Sequence, residues 1–166
     1  TCILMVSLST PSPAPKTKKL PFGKREEVSV DRHGIDPTLV DERARNVLST
    51  LQGAGFEAYI VGGSVRDLLM GKVPKDYDVA TDAIPEEVKT VFPRARIIGR
   101  RFQLVHVVFG QEIIETSTFR APASETQSTD DHGRILRDNE FGTHEQDAVR
   151  RDFTINALYY DPTNEQ

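Results

Sequence analysis

The chain contains 166 residues, of which 37% are hydrophobic and 28% charged. This length favours a single domain with at most a small appendage and excludes long repeat arrays and multidomain assemblies. The formal net charge of −4 argues against binding of nucleic acid through an overall basic surface.

Membrane-spanning proteins and proteins stabilised by cysteine disulfides or cysteine zinc clusters are also excluded. No apolar run approaches the ~20 residues of a membrane-spanning helix, so we expect no membrane partner and a cytoplasmic location. The single cysteine, Cys2, allows neither an intrachain disulfide nor a cysteine zinc cluster.

The first 35 residues are rich in Pro, Ser, Thr and Lys. Proline removes a backbone donor, and so polar a segment buries too little apolar surface to offset the entropy of ordering. We therefore predict a disordered tail over residues 1–35 and a folded catalytic domain over residues 36–166.

The first predicted helix begins at the start signal of residues 36–38 and ends at Gly53. Its apolar residues recur with helical spacing and predict one buried stripe: Leu39, Val40, Ala44, Val47, Leu48 and Leu51. The apolar segment 58–61 then predicts a strand, and residues 65–70 predict a short helix.

Residues 76–81 alternate polar and apolar side chains, which predicts a half-buried strand. Pro85 opens the next helix, because proline is tolerated in a first helical turn. Segments 104–109 and 112–118 flank Gly110-Gln111 and predict a hairpin with a type II′ turn.

Three expectations concern the rest of the chain. Residues 121–133 form a polar segment that we predict to be a mobile insertion. Thr143 and Gln146 have the spacing of a capping box and predict a helix through Arg150. His106 lies on an apolar strand, where a buried core histidine is expected more often than a ligand.

Two carboxylates, Asp76 and Asp78, project from one face of the predicted strand because side chains alternate along it. Such a pair can bind the two magnesium ions that promote phosphoryl transfer. A solvated pair or a turn cap is the alternative, since Asp-x-Asp is common. Glu115 and Asp152 are both candidates for a third metal-binding carboxylate, and the sequence does not favour one over the other.

Gly62-Gly63 lies between a strand and a helix, where backbone N–H groups can approach phosphate oxygens without a Cβ in the way. A plain turn is the alternative. Arg66 lies one helical turn further on and can add a charged fork to the same phosphates, or it can pair with Asp67 on the surface.

Further polar and charged residues complete the candidate site. Arg151 and Asn156, with Asp152 between them, can hold phosphate and ribose hydroxyls, and we assign Lys75 to the nucleotide as well. Arg100 and Arg101 form either an RNA or phosphate clamp or a solvated charge pair.

Residues 59–81, YIVGGSVRDLLMGKVPKDYDVAT, closely resemble the head-domain signature of the bacterial poly(A) polymerase and tRNA CCA-adding enzyme family, the class II nucleotidyltransferases. The resemblance continues through GRRF at 99–102, EIIETSTFR at 112–120 and RRDFTIN at 150–156. The KDYDV and RRF segments are more similar to the poly(A) polymerases than to the CCA-adding branch.

The resemblance implies an α/β (α+β) head domain with a mixed, mostly antiparallel sheet of about five strands flanked by helices. It also implies that Asp76 and Asp78 bind magnesium, supported by Glu115 or Asp152. Gly62, Gly63 and Arg66 would contact the triphosphate, and Arg151, Asp152 and Asn156 would lie near the nucleotide sugar.

The implied reaction is attack by an RNA 3′-hydroxyl on the α-phosphate of ATP, with release of pyrophosphate. Addition of CCA to tRNA is the alternative within the family, and a non-catalytic nucleotide-binding module is the alternative outside it. Family members continue into helical domains that select the base and hold RNA, so we expect this chain, which stops at Gln166, to represent the catalytic head alone.

Overall fold

A mixed sheet runs through the computed structural model, which describes residues 3–7, 25–100, 102–121, 141–151 and 157–164. The described part of the chain contributes eight strands, in the order β2-β1-β8-β3-β4-β7-β6-β5. They are β1 (Ile3–Ser7), β2 (Arg25–Glu27), β3 (Ala58–Val61), β4 (Asp78–Thr81), β5 (Arg96–Ile98), β6 (Leu104–Phe109), β7 (Glu112–Thr118) and β8 (Tyr159–Asp161).

The sheet is mixed, as expected from the resemblance. Strands β1–β2, β1–β8 and β4–β7 pair in parallel, and the other neighbours pair antiparallel. The fold class is therefore confirmed, but the sheet is wider than the predicted five strands. Strands β5 and β8 have three residues each, which is too short for alternation of side chains to reveal them.

Helices cover the sheet. The described residues form α1 (Val30–His33), α2 (Glu42–Gly53), α3 (Gly63–Leu69), α4 (Pro85–Val91) and α5 (His144–Arg150), with 3-10 turns at Pro37–Leu39 and Pro162–Asn164. Within the described chain, none of these helices has the length and apolar character needed to cross a membrane.

Both faces of the central strands are buried. Val79 belongs to a core cluster with the α2 stripe, whereas its neighbour Ala80 belongs to a second cluster with Phe119 and Tyr159. Because side chains alternate along a strand, consecutive residues in different clusters indicate that the two clusters lie on opposite faces of the sheet. The α2 stripe consists of Ala44, Val47, Leu48 and Leu51, as the helical spacing predicted.

The start of the long helix differs from the prediction. Asp36 caps the 3-10 turn by accepting from the Thr38 N–H at 2.9 Å, and Val40 is extended. Helix α2 begins only at Glu42, where Asp41 accepts the Arg43 N–H at 2.8 Å as N-cap. Aspartate is a favourable N-cap residue, so both Asp36 and Asp41 can begin a helical segment. The segment that Asp36 caps is only a single 3-10 turn.

Of residues 1–35, the structure describes 3–7 and 25–35, and the disordered tail stays a prediction. Strands β1 and β2 belong to the sheet, α1 follows them, and Val28 and Ile35 are buried. Apolar residues in this segment therefore reach the core despite its polar average. Residues 8–24, with the prolines on which the prediction depended, lie outside the described residues, as do positions 122–133 of the predicted insertion.

Short-range signals in the sequence are confirmed. Gly110 has φ 63° at the two-residue turn, and no described non-glycine residue has positive φ, as a type II′ turn requires. Thr143 and Gln146 form the reciprocal capping box of α5, and Pro85 occupies the first turn of α4.

Tyr77 links the segment before β4 to the start of α2. Its hydroxyl donates to the Leu39 carbonyl at 3.0 Å and accepts the Asp41 N–H at 3.1 Å. The residue is 5% exposed. Tyr77 therefore anchors the chain between Asp76 and Asp78 to the hydrophobic core.

We expect Tyr77→Phe to lower the free energy of unfolding by about 1–2 kcal/mol, because the ring stays but two backbone groups lose their partner. Urea denaturation measures this, with an unchanged m value as the control for an intact native state. A loss below about 0.5 kcal/mol would show that water replaces the hydroxyl and that the anchor is unimportant.

Candidate functional site

A cavity of about 490 Å³ opens at the central strands. Its walls contain three acids, three arginines, the Gly62-Gly63 turn and the hydroxyl residues Ser117 and Thr118. A second cavity of about 410 Å³ lies between α2 and the Pro162–Asn164 turn, and none of the predicted site residues that the structure describes lines it. The first cavity is therefore the candidate functional site.

Two of the three acids, Asp78 and Glu115, are placed by the parallel pairing of β4 and β7. The register sets Asp78 directly opposite Glu115, and paired residues of neighbouring strands point to the same face of a sheet. Both side chains line the cavity. This adjacency supports Glu115 as the partner of Asp78, whereas Asp152 lies outside the described residues.

Asp76 is placed differently from the prediction. It lies in a bend before β4 rather than on the strand, and it is absent from the cavity wall. The predicted alternation still holds, because Asp76 and Asp78 are exposed while Tyr77 and Val79 are buried. Asp76 therefore approaches the site from its edge.

The charges of these acids repel one another. Burial in the cleft and the neighbouring Glu115 carboxylate raise the pKa of Asp78, Arg151 opposes the rise, and Asp76 adds to it. Because the surroundings of Asp78 disfavour its negative charge, a cation bound beside it lowers the electrostatic energy of the carboxylates. Within the described residues, however, no group of three or more Asp, Glu, His or Cys side chains is close enough together to hold a metal ion.

His106 is not the buried core histidine that the sequence predicted. Its side chain is 28% exposed, and its Nε2 lies 3.6 Å from Glu115 Oε2 across the β6–β7 pair. The sequence did not reveal this partial exposure, because the residues around His106 on β6 are all apolar. In the structure, partly exposed and buried residues alternate along β6. His106 therefore borders the acidic pair.

The Gly62-Gly63 turn also lines the cavity, directly after Val61, which pairs with Asp78. Gly62 has φ 74°, which favours glycine, and α3 starts directly after it. The first N–H groups of a helix have no acceptor within the helix. The turn thus has the conformation expected of a phosphate-binding segment.

Arg66 follows the surface alternative in this structure. Its guanidinium donates to Asp67 Oδ1 at 3.0 and 2.9 Å. A Cβ built on Gly63 would still lie 3.6 Å from Arg66 Nη2. The arginine is therefore adjacent to the glycine turn, although it does not line the cavity.

Three arginines line the cavity: Arg120, Arg150 and Arg151. Arg151 was predicted, while Arg120 and Arg150 were missed. The signal for both was present, because Arg120 ends the EIIETSTFR motif and Arg150 begins RRDFTIN. Burial opposes the charge on Arg151, yet the neighbouring Tyr159 and Asp147 raise its pKa overall.

Two other predicted residues that the structure describes do not line the cavity. Lys75 and Arg100 are exposed and absent from its walls. Asp152, Asn156 and Arg101 lie outside the described residues, so their assignments stay predictions.

Comparison with known proteins gives a family match. The family model described as the poly A polymerase head domain matches residues 58–166. Poly(A) polymerase I of Haemophilus influenzae is 54% identical over 134 residues, which are 77% of this chain and 30% of that protein. The CCA-adding enzyme of Lactobacillus helveticus is 44% identical over 120 residues, 72% of this chain and 29% of that enzyme.

The fold is also similar to solved structures. The crystal structure of the Bacillus stearothermophilus CCA-adding enzyme in complex with CTP matches with a TM-score of 0.54 and 37% identity, covering 72% of this chain and 27% of that one. The chain thus spans about a third of the length of the curated relatives that it matches.

The raised pKa of Asp78 predicts the direction of a stability change. Above that pKa the charged carboxylate destabilises the native state, and this effect is lost as pH falls through it. In a chelator-treated protein, Asp78→Asn should therefore raise the melting temperature at pH 7, with the gain disappearing below about pH 4.

The control is Asp82→Asn, just beyond the other end of β4, where the carboxylate accepts the Glu57 N–H at 2.8 Å. This variant should show no gain. Glu115→Gln should show a gain of its own, and the double variant should gain less than both changes added. A lower melting temperature for Asp78→Asn at pH 7 would contradict the electrostatic argument.

Proposed function

Because the chain belongs to the poly A polymerase head domain family, we propose that it is the catalytic head of an enzyme that transfers AMP from ATP to RNA 3′ ends. The observation that supports this most is the placement of Asp78 beside Glu115 in one cavity with a glycine turn and three arginines. Carboxylates and arginines that line one cleft suit a magnesium nucleotide.

The donor chemistry fits magnesium. Carboxylate oxygens are its preferred protein ligands, and we propose that Asp78 and Glu115 hold it, with Asp76 contributing from the bend. Bound there, magnesium supplies activation of the RNA hydroxyl and neutralisation of the leaving pyrophosphate.

The chain's own groups then account for nucleotide binding. We propose that the Gly63 N–H at the start of α3 donates to phosphate oxygens, while Arg151 and its neighbours in the cavity offset the triphosphate charge. Arg66 can join them by leaving Asp67. Lys75 and Asn156 stay assigned to the nucleotide as predictions from the sequence.

We propose that RNA approaches over the segment after β5. Arg100 is exposed there, and Phe102 is 41% exposed. The guanidinium carbon of Arg120, a cavity residue, lies 4.8 Å from the centre of the Phe102 ring. An exposed aromatic ring beside arginines suits single-stranded RNA, because bases stack on aromatic side chains. Arg101 stays a predicted RNA contact, and the cytoplasmic location stays a prediction as well.

Polyadenylation is favoured over CCA addition by the higher identity to poly(A) polymerase I than to the CCA-adding relative. The test is an extension assay with labelled ATP or CTP on two substrates, an RNA with a free 3′-hydroxyl and a tRNA lacking its CCA end. The protein should be the product of the complete reading frame that encodes this chain.

Repeated AMP addition to the general RNA is the expected result. CMP addition confined to the tRNA would support the CCA-adding alternative. Binding of Mg-ATP without transfer to either substrate would support the non-catalytic nucleotide-binding module.

In the same assay, Asp78→Asn and Glu115→Gln should each nearly abolish transfer, because each variant keeps the side-chain shape but removes a negative metal ligand. Asp76→Asn should also reduce transfer strongly. Asp82→Asn is the matched control and should retain full activity. Transfer by the Asp78 variant within about tenfold of wild type, ~1.4 kcal/mol of activation free energy, would contradict the metal assignment.

We further expect the 166-residue chain to bind Mg-ATP and Mg-CTP with similar, weak affinity. The proposed contacts reach metal, phosphate and sugar, which every ribonucleotide shares. A site that hydrogen-bonds a base can discriminate strongly, whereas stacking discriminates little. Calorimetric titration with each nucleotide measures this, and a preference for ATP beyond about tenfold, ~1.4 kcal/mol, would reveal a base-reading pocket within the chain.

A further inference from the structure

The carboxylate of Asp147 joins three segments around the cavity. It lies on α5 and is only 6% exposed. Oδ2 accepts from the Tyr159 hydroxyl at 2.7 Å and from Arg151 Nε and Nη2 at 3.1 and 3.0 Å. Oδ1 accepts the backbone N–H of Arg120 at 3.2 Å. One side chain thus connects α5, β8 and the segment that follows β7.

Aromatic packing keeps this network in place. The Tyr159 hydroxyl also accepts from Arg151 Nε at 3.1 Å, and the Tyr159 ring lies 5.4 Å from the guanidinium carbon. The His144 ring contacts Tyr159 edge-on at 4.2 Å and stacks on Tyr59 at 4.8 Å. The groups that contact Arg151 are therefore restrained by the second core cluster.

We propose that Asp147 is a positioning residue for polyphosphate binding, which acts by holding Arg151 and the Arg120 segment at the cavity wall. This rests on the proposed function, in which the cavity holds a nucleotide triphosphate. The site of action is the guanidinium of Arg151, while Asp147 itself contacts no phosphate.

The physical reason is preorganisation. An arginine side chain has many rotamers, and fixing them before binding reduces the entropy lost when phosphate binds. Asp147 fixes both the direction of the guanidinium and the backbone position of Arg120, because its two oxygens bind different segments. A carboxylate as buried as that of Asp147 is stable only with hydrogen-bonding or charged partners. The contacts that position Arg151 are therefore also the contacts that allow Asp147 to be buried.

The test uses inorganic tripolyphosphate with magnesium as the probe and calorimetry as the readout. Asp147→Asn keeps the shape but weakens the contacts to Arg151, and the affinity should fall at least about tenfold. Asp41→Asn is the control, because Asp41 also binds an arginine, Arg43, at 2.8 and 2.6 Å, and neither residue lines the cavity. Both variants should lower the melting temperature, but only the first should change the affinity.

A double-mutant cycle separates positioning from general damage. Arg151→Lys cannot form the two-point contact, so adding Asp147→Asn to it should cause little further loss of affinity. Independent, additive losses would overturn the proposal, as would an unchanged affinity in Asp147→Asn.

Tyr159→Phe provides a second variant in case Asp147→Asn does not fold. It removes only the hydroxyl that both partners share, and a roughly threefold loss of affinity is expected. An unchanged affinity in this variant would also contradict the proposal. If wild type binds no tripolyphosphate, the proposal is wrong, whereas failure of RNA extension with intact tripolyphosphate binding contradicts only the proposed function.

Discussion

The parallel pairing of β4 and β7 is the constraint on which the candidate site depends. It sets Asp78 directly opposite Glu115, because the ladder fixes the distance between the backbones of paired residues. The cost appears in the raised pKa of Asp78, for which burial and the neighbouring carboxylate are the main causes. Native proteins retain such unfavourable arrangements mainly at functional sites.

The sheet can support this repulsion because its central strands are buried on both faces. Val79 and Ala80, which follow Asp78, are completely buried in separate clusters. Tyr77, which precedes it, is anchored to Leu39 and Asp41. The acid is therefore flanked by residues that cannot move without disrupting the core, and its position is independent of the charge that it bears.

The elements with strong local signals could be predicted from the sequence. The α2 stripe, the hairpin turn and the capping box depend on spacings within a few residues, and all three are found. Strand β8 was missed because three residues show no periodicity, and β1 and β2 because their segment is polar on average. Long-range strand pairing decides such cases, and no local pattern encodes it.

The site was predictable in its residue types but not in its grouping. Motifs identified Asp78, Glu115, Gly62 and Arg151, yet the pairing of β4 with β7 was needed to bring the two acids together. Arg120 was missed because it lies in the segment after β7, outside the strand that contains Glu115.

Asp78 and Glu115 are held in a different way from Arg151, and this difference fits their chemistry. The acids are held through the backbone ladder, whereas Arg151 is held by the side chains of Asp147 and Tyr159. A metal needs ligands at nearly constant spacing, while a triphosphate changes its charge distribution as pyrophosphate leaves. A guanidinium held by side-chain hydrogen bonds keeps its charge and direction, whereas the ladder keeps the backbones of the two acids at a constant separation.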